Sequence, residues 1–155
     1  MYGWILFDPG APSVPGDIAA LTTDLKSLMA VAAGTETPDG GLHRTDLLGA
    51  LAPAARAHGL GVPERDTFAA SEIDLARGSS GAAVSVQTGR ARSNNAALLS
   101  VLAAAAMQDI RWLVIVAPAR YKGTLTARPV VDDITRLSRS RGVRLDLSGV
   151  LVLAF

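Results

Sequence analysis

Apolar and polar positions along the chain repeat with the periods of helices and strands, most clearly in its second half. Residues 112–117, Trp-Leu-Val-Ile-Val-Ala, are an unbroken apolar run, which is typical of a central strand covered on both faces. Residues 93–108 carry almost no charge, so we expect a helix that is buried on more than one side. Residues 150–155 are again apolar and predict a further strand.

Shorter signals predict the other elements. We expect strands at residues 2–7, 67–75, 82–88 and 143–147, and helices at residues 17–33, 45–58 and 129–141. From residue 45 onward the order is helix, strand, strand, helix, strand, helix, strand, which predicts an α/β fold. A length of 155 residues suits one domain, so residues 1–155 are expected to fold as a single unit.

Composition narrows the classes of protein that fit. Apolar residues make up 49% of the chain and charged residues only 19%, which argues against global disorder. The sequence has no cysteine, so it offers no disulfide framework and no thiolate ligand or nucleophile, and we expect a cytoplasmic protein. The formal net charge is +1, so any affinity for nucleic acid must come from a local cluster of basic residues.

Residues 78–81, Gly-Ser-Ser-Gly, predict the turn of a hairpin between the strands expected at residues 67–75 and 82–88. Polar residues cluster on this predicted hairpin. Because side chains alternate along a strand, Ser85 and Gln87 should share one face of the second strand. Asp74 ends the first strand and is expected to reach the same end of the sheet. Three polar side chains meeting in so apolar a chain indicate a functional site.

This hairpin resembles the active-site hairpin of the PD-(D/E)xK nuclease superfamily, in particular restriction endonucleases of the BglII type. Their pattern is an Asp on one strand followed by Glu-x-Gln on the next. Asp74 matches the Asp and Gln87 matches the Gln, while Ser85 stands where the Glu would be. The resemblance implies a restriction-endonuclease-like mixed sheet flanked by helices.

The same resemblance implies a Mg²⁺-dependent DNA endonuclease with Asp74, Ser85 and Gln87 at the catalytic positions. Asp74 and Glu72 would hold the ion, and the Gln87 amide oxygen would orient the attacking water. Ser85 has a neutral hydroxyl where the family has a carboxylate, and a hydroxyl is a weak Mg²⁺ ligand. The nuclease activity is therefore expected to be impaired.

Double-stranded DNA is the partner that the resemblance implies. The residues expected to contact it lie after the hairpin and after the central strand: Arg90, Arg92, Asn94, Asn95, Arg120, Tyr121 and Lys122. Asn94 and Asn95 are also expected to cap the following helix. Because cutting both strands of a duplex takes two copies of a small core, a homodimer is expected, formed through the second helix or the first strand.

Two other interpretations remain open. The chain could be a catalytically inactive nuclease-fold domain that binds nucleic acid or a protein partner, as Ser85 and the modest net charge suggest. It could also be a small α/β enzyme of another class, but it contains no Gly-x-Gly-x-x-Gly motif, phosphate-binding loop or Gly-x-Ser-x-Gly elbow. Taken singly, Asp74 could be a turn residue and Gln87 an ordinary residue of a sheet.

Overall fold

The computed structural model describes residues 3–8, 10, 13–32, 43–64, 71–89, 91 and 93–155. The helices are α1 (Gly16–Ala32), α2 (Arg44–Ala57), α3 (Ala96–Ala106) and α4 (Ala127–Ser138). The strands are β1 (Ile5–Leu6), β2 (Leu75–Arg77), β3 (Ala82–Val86), β4 (Trp112–Ala117), β5 (Arg120–Tyr121), β6 (Thr124–Leu125) and β7 (Gly149–Ala154).

Five of these strands form one mixed sheet in the order β1-β7-β4-β3-β2, so the predicted α/β fold is confirmed. Strands β3, β4 and β7 are parallel, whereas β2 pairs antiparallel with β3 and β1 pairs antiparallel with β7. Helices α3 and α4 provide the crossovers between the parallel strands. Strands β5 and β6 form a separate two-stranded hairpin.

The sheet separates two apolar cores, because alternate side chains of each central strand point to opposite faces. Val84 and Val114 pack with α1 and α2 on one face, around Leu25 and Leu51. On the other face, buried apolar side chains of the strands pack beneath α3 and α4. This second core includes Ala83, Val101, Leu113, Ile115, Ile134 and Val152. All six residues of β4 are buried, as expected for a strand covered on both sides.

The short strand β1 is fixed to β7 by two tryptophans. A Cβ atom on Gly149 would lie 2.9 Å from the Trp112 ring and 3.3 Å from the Trp4 ring, so only glycine fits there. The two rings meet edge to face with their centroids 5.1 Å apart. This contact places β1 at the edge of the sheet beside β7.

Two of the predicted strands differ from the structure. Residues 143–147 are not a strand, and pairing begins only at Gly149, after the Ser148 and Gly149 amides bind the Arg111 carbonyl. The first hairpin strand starts at Leu75 rather than earlier, because residues 71–72 form a helical turn. Residues 67–70 of the predicted strand lie outside the described residues. Among the described helices, none has the length and apolarity required to cross a membrane.

Candidate functional site

The predicted hairpin is confirmed, with Leu75 opposite Val84 and Arg77 opposite Ala82. Its turn is the short 3-10 helix Gly78–Ser80 followed by Gly81, whose φ of +65° favours glycine. Arg77 holds the turn by donating to the Ser80 hydroxyl, and it pairs with Asp17 of α1 at 2.7 Å. The hairpin is thus tied to α1.

Ser85 and Gln87 lie at the carboxyl end of β3 and meet a third polar residue, Ser100 of α3. The Ser85 side chain is fully buried, and its Oγ lies 3.0 Å from the Ser100 Oγ. Gln87 Nε2 donates to both hydroxyls, at 3.0 Å and 3.1 Å. The prediction that Ser85 and Gln87 share a face is therefore confirmed.

The direction of these hydrogen bonds orients the Gln87 amide. The Ser100 hydroxyl donates to the Ala96 carbonyl at 3.1 Å, so both serine oxygens are left to accept from Nε2. With both amide hydrogens directed inward, Gln87 presents its carbonyl oxygen Oε1 on the outer side. Gln87 is half-buried, and its Nε2 is used within the cluster.

Asp74 lies one residue before β2, where the chain bends. Its Oδ2 accepts the Val86 backbone N–H at 2.7 Å, and its Oδ1 accepts from Arg44 of α2 at 2.6 Å. Only 7% of the side chain is exposed. Burial raises the pKa of the Asp74 carboxyl above its ordinary value, although the Val86 N–H and the Arg44 guanidinium oppose that shift.

Asp74 and Gln87 therefore lie at the same end of the sheet but are directed to helices on opposite faces. Asp74 binds Arg44 of α2, whereas Gln87 binds Ser100 of α3. The expectation that all three polar side chains converge needs this correction. Its cause is the bend at Asp74, which takes the carboxylate out of the strand alternation and turns it onto the backbone of β3.

The expected role of Glu72 rests on a strand that does not form there. Glu72 belongs to the helical turn before β2 and is half-buried, and its backbone carbonyl lies 3.4 Å from the Ser100 Oγ. It does not share strand alternation with Asp74. Over the described part of the chain, no group of three or more His, Cys, Asp or Glu side chains is placed to hold a metal ion.

These donors can be compared with what Mg²⁺ requires. The ion prefers carboxylate oxygens and usually keeps several waters, so a single Asp74 carboxylate is a chemically suitable ligand. Both oxygens of Asp74 are already bound, however, and the Ser85 hydroxyl is turned into the interior. As arranged, the described residues do not fit a Mg²⁺ site, because Asp74 would first have to release Arg44.

A second set of predicted residues gathers beside the carboxyl end of β3. Gly89 has a φ of +116°, and a Cβ atom there would lie 2.1 Å from the Tyr121 ring. The loop after β3 is thus packed against the β5–β6 hairpin. Lys122 follows with its ammonium 5.7 Å from the centre of that ring, and Arg120 donates to the Gly123 carbonyl at 3.0 Å.

We call Gly89, Arg120, Tyr121 and Lys122 the rim. Arg120 and Lys122 are exposed and Tyr121 is half-buried, so two cations and an aromatic ring face solvent together. Arg120, Tyr121 and Lys122 were expected to contact DNA together with the residues after the β2–β3 hairpin. The contact between Tyr121 and Gly89 places them beside the end of that hairpin. Arg90 and Arg92, which were expected to belong to the same surface, lie outside the described residues.

Asn94 and Asn95 precede α3 with left-handed φ angles of 55° and 57°. Asn95 occupies the N-cap position, but its side chain makes no capping hydrogen bond. The Ala97 amide instead donates to the Ala91 carbonyl at 2.9 Å. The predicted capping role is therefore wrong for Asn95, and both asparagine side chains are exposed.

Comparisons with protein-family models, with curated proteins and with solved structures find no match to this chain. Function is therefore inferred from the chemistry of the site. Sequence reasoning missed Ser100 and Arg44, the partners that decide what Ser85 and Asp74 can do. Ser100 was the only polar residue in residues 96–107, and that exception was the available signal.

Proposed function

We propose that this protein is a nuclease-like domain that binds duplex DNA at the rim and does not hydrolyse it efficiently. The observation that carries the proposal is that Asp74, which was expected to hold the metal, and Ser85, which stands at the position of the family's Glu, are both bound within the protein. Asp74 is bound by Arg44 and the Val86 N–H, and the Ser85 hydroxyl is bound by Ser100 and Gln87. Efficient hydrolysis would require these contacts to be replaced.

Support for DNA binding comes from the rim. Arg120 and Lys122 are exposed on one tight hairpin, and Tyr121 between them is held by its contact with Gly89. Cations on a tight turn suit the phosphate backbone, whose contacts position a protein without reading sequence. The rim follows β4 and adjoins the carboxyl end of β3, and ligands of α/β sheets commonly bind beyond the carboxyl ends of their strands.

The second candidate is the metal-dependent DNA endonuclease. One observation favours it: Asp74 binds the N–H of Val86, the residue before Gln87, so both side chains lie at the same end of the sheet. In that case Asp74 would be a ligand of Mg²⁺, Glu72 would have to leave its helical turn to join it, and Ser85 and Gln87 would stay in the positions that the resemblance implies. Arg44 would have to leave Asp74 first.

Binding and cleavage can be measured separately. We expect fluorescence anisotropy in EDTA to detect duplex DNA binding, and the variant Arg120→Gln/Lys122→Gln to weaken it. Removing two phosphate contacts should lower the slope of log K against log salt concentration by about 2. The matched control is Lys26→Gln/Arg56→Gln, which changes the net charge equally at exposed positions of α1 and α2.

Plasmid incubation with Mg²⁺ and with Mn²⁺ decides between the candidates. We expect no cleavage above that of Asp74→Ala. Metal-dependent nicking that Asp74→Ala abolishes would establish the endonuclease instead. Failure of the unaltered chain to bind duplex DNA, or equal weakening by the control variant, would overturn the proposed binding surface.

A further inference from the structure

Among the residues that the structure describes, one edge of β1 carries unpaired backbone groups. Within that part of the chain β1 pairs only with β7, with Ile5 opposite Val150, and the Phe7 amide donates to the Ser148 carbonyl at 3.1 Å. Hydrogen-bonded and non-hydrogen-bonded positions alternate in an antiparallel pair. The N–H and C=O groups of Trp4 and Leu6 therefore point away from β7.

An open groove runs beside this edge. It has a volume of about 580 Å³, and its lining consists of Trp4, Ile5, Leu6 and Phe7 together with Thr135, Ser138 and Arg139 at the end of α4. Leu6 is 44% exposed, which is high for a large apolar side chain. The groove thus combines an unpaired strand edge with apolar surface.

The groove lies beside a concentration of positive charge. Residues 136–144 contain four arginines and no acidic residue, in a chain whose net charge is only +1. Arg139, Arg141 and Arg144 are exposed, and Arg139 itself lines the groove. Arg144 lies four residues before Ser148, whose carbonyl accepts from the Phe7 amide, and Asp146 between them pairs with Arg111 at 2.6 Å.

We propose that this groove binds an extended acidic segment of a partner protein, which adds a strand to the free edge of β1. The outward groups of Trp4 and Leu6 would pair with the segment's backbone. Alternate apolar side chains would enter the groove, and acidic side chains would meet the arginines. This proposal does not depend on DNA binding at the rim.

The charges also select the kind of partner. A second copy of this chain pairing through β1 would bring two arginine clusters together, and like charges across an interface are unfavourable. Duplex DNA would use the arginines but would leave the strand edge and the apolar groove without a role. An acidic polypeptide uses all three features.

The test uses the full chain and a short fluorescein-labelled peptide of alternating valine and glutamate. Leu6→Pro removes an outward N–H that β7 does not use, so the edge loses a donor while the β1–β7 pairing is kept. Arg139→Gln/Arg144→Gln removes the charge. We expect both variants to weaken binding by roughly fivefold or more, and the charge-matched Lys26→Gln/Arg56→Gln to leave it unchanged.

Backbone pairing has its own readout. A peptide N-methylated at every second residue should lose binding in one register of methylation and keep it in the other, since only one set of N–H groups faces β1. Hydrogen exchange of the Leu6 amide should slow when the peptide binds.

Three results would overturn the proposal. One is the absence of peptide binding to the unaltered chain. The second is equal binding of both methylated peptides, which would leave electrostatic attraction alone. The third is displacement of the peptide by short duplex DNA, together with DNA affinity that depends on Arg139 and Arg144 but not on Leu6, which would assign the surface to nucleic acid.

Discussion

At Asp74 a carboxylate is kept in surroundings that disfavour its charge. The side chain is 7% exposed, and its oxygens bind one backbone N–H and one guanidinium. Burial nevertheless outweighs these partners, so the pKa lies above its ordinary value. Ionised Asp74 therefore lowers the stability of the folded protein, and carboxyl groups held in this way are commonly functional.

This imbalance predicts how stability depends on pH. The folded pKa of Asp74 lies above the unfolded value near 3.8, so its contribution is fully present below pH 3.8 and is lost as the pH rises through the folded pKa. Asp74→Asn keeps an acceptor for the Val86 N–H and cannot ionise. As the pH rises from 3.8 through the folded pKa of Asp74, we expect the free energy of unfolding of the unaltered chain to fall relative to that of Asp74→Asn.

Urea unfolding of both proteins across a pH series measures the difference. Effects of the other carboxyl groups cancel in the comparison, because the two chains differ at one residue. If the unaltered chain instead becomes more stable than Asp74→Asn as the pH rises, then Arg44 and the Val86 N–H outweigh the effect of burial on the Asp74 carboxylate.

Ser85 shows what a single sequence could not indicate. Its position in a period of two places it on the same face as Gln87, and that was predictable. Its complete burial depends on Ser100, fifteen residues later, which reaches it only because α3 packs across the sheet. A glutamate at position 85 would place a carboxylate between α3 and the sheet rather than at an open cleft, which is costly unless a charge partner is present.

At the scale of elements, the predictions succeeded where one local signal dominated. The unbroken run at residues 112–117 became β4 with the same bounds, and the nearly uncharged stretch that followed the hairpin became α3. The predictions failed where a contact with a distant residue determines the local structure. The Val143 to Leu147 stretch is apolar enough for a strand, but its neighbours bind Arg111 before β7 begins.

The packing of the rim predicts a difference between two glycines. Gly89 and Gly123 both have positive φ, at +116° and +79°, so alanine is strained at either position. A Cβ at Gly89 would also meet the Tyr121 ring at 2.1 Å, whereas a Cβ at Gly123 meets nothing within 4 Å. We expect Gly89→Ala to displace Tyr121 and weaken DNA binding, and Gly123→Ala to have a much smaller effect on affinity.

Thermal unfolding and DNA anisotropy of the two variants provide the comparison. Gly123→Ala should cost about 1 kcal/mol from backbone strain alone, and Gly89→Ala more. Adding Tyr121→Ala to Gly89→Ala should recover part of the lost stability, because the clash is removed. Equal destabilisation by the two alanines would show that Tyr121 does not hold the loop.

Over the whole molecule, the two proposed surfaces lie at opposite ends of α4. The helix begins shortly after the rim and ends at Ser138, and the next residue, Arg139, lines the groove beside β1. A helix of 12 residues is about 18 Å long, so one short ligand does not cover both surfaces.

The distribution of exposed apolar residues bears on the expected homodimer. Among the described residues, the exposed large apolar side chains lie on five separate segments: Leu6, Val62, Leu102, Leu125 and Val143. Single exposed apolar residues are normal on a monomer, whereas permanent dimer interfaces are commonly large and apolar. The arginines near β1 also disfavour pairing of two copies through that strand.

We therefore expect the free chain to be a monomer, so that any dimer needed to act on both DNA strands would assemble on the DNA. Light scattering coupled to size exclusion, at micromolar concentration and low salt, should give the one-chain mass of 16.0 kDa. Adding duplex DNA should raise the mass by that of the DNA alone if one chain binds, or by that of the DNA and one further chain if two chains assemble there. A free mass of twice the single-chain value would show that an interface forms without DNA. Loss of that mass in Leu6→Pro would then place the interface at β1, and its persistence would favour α2.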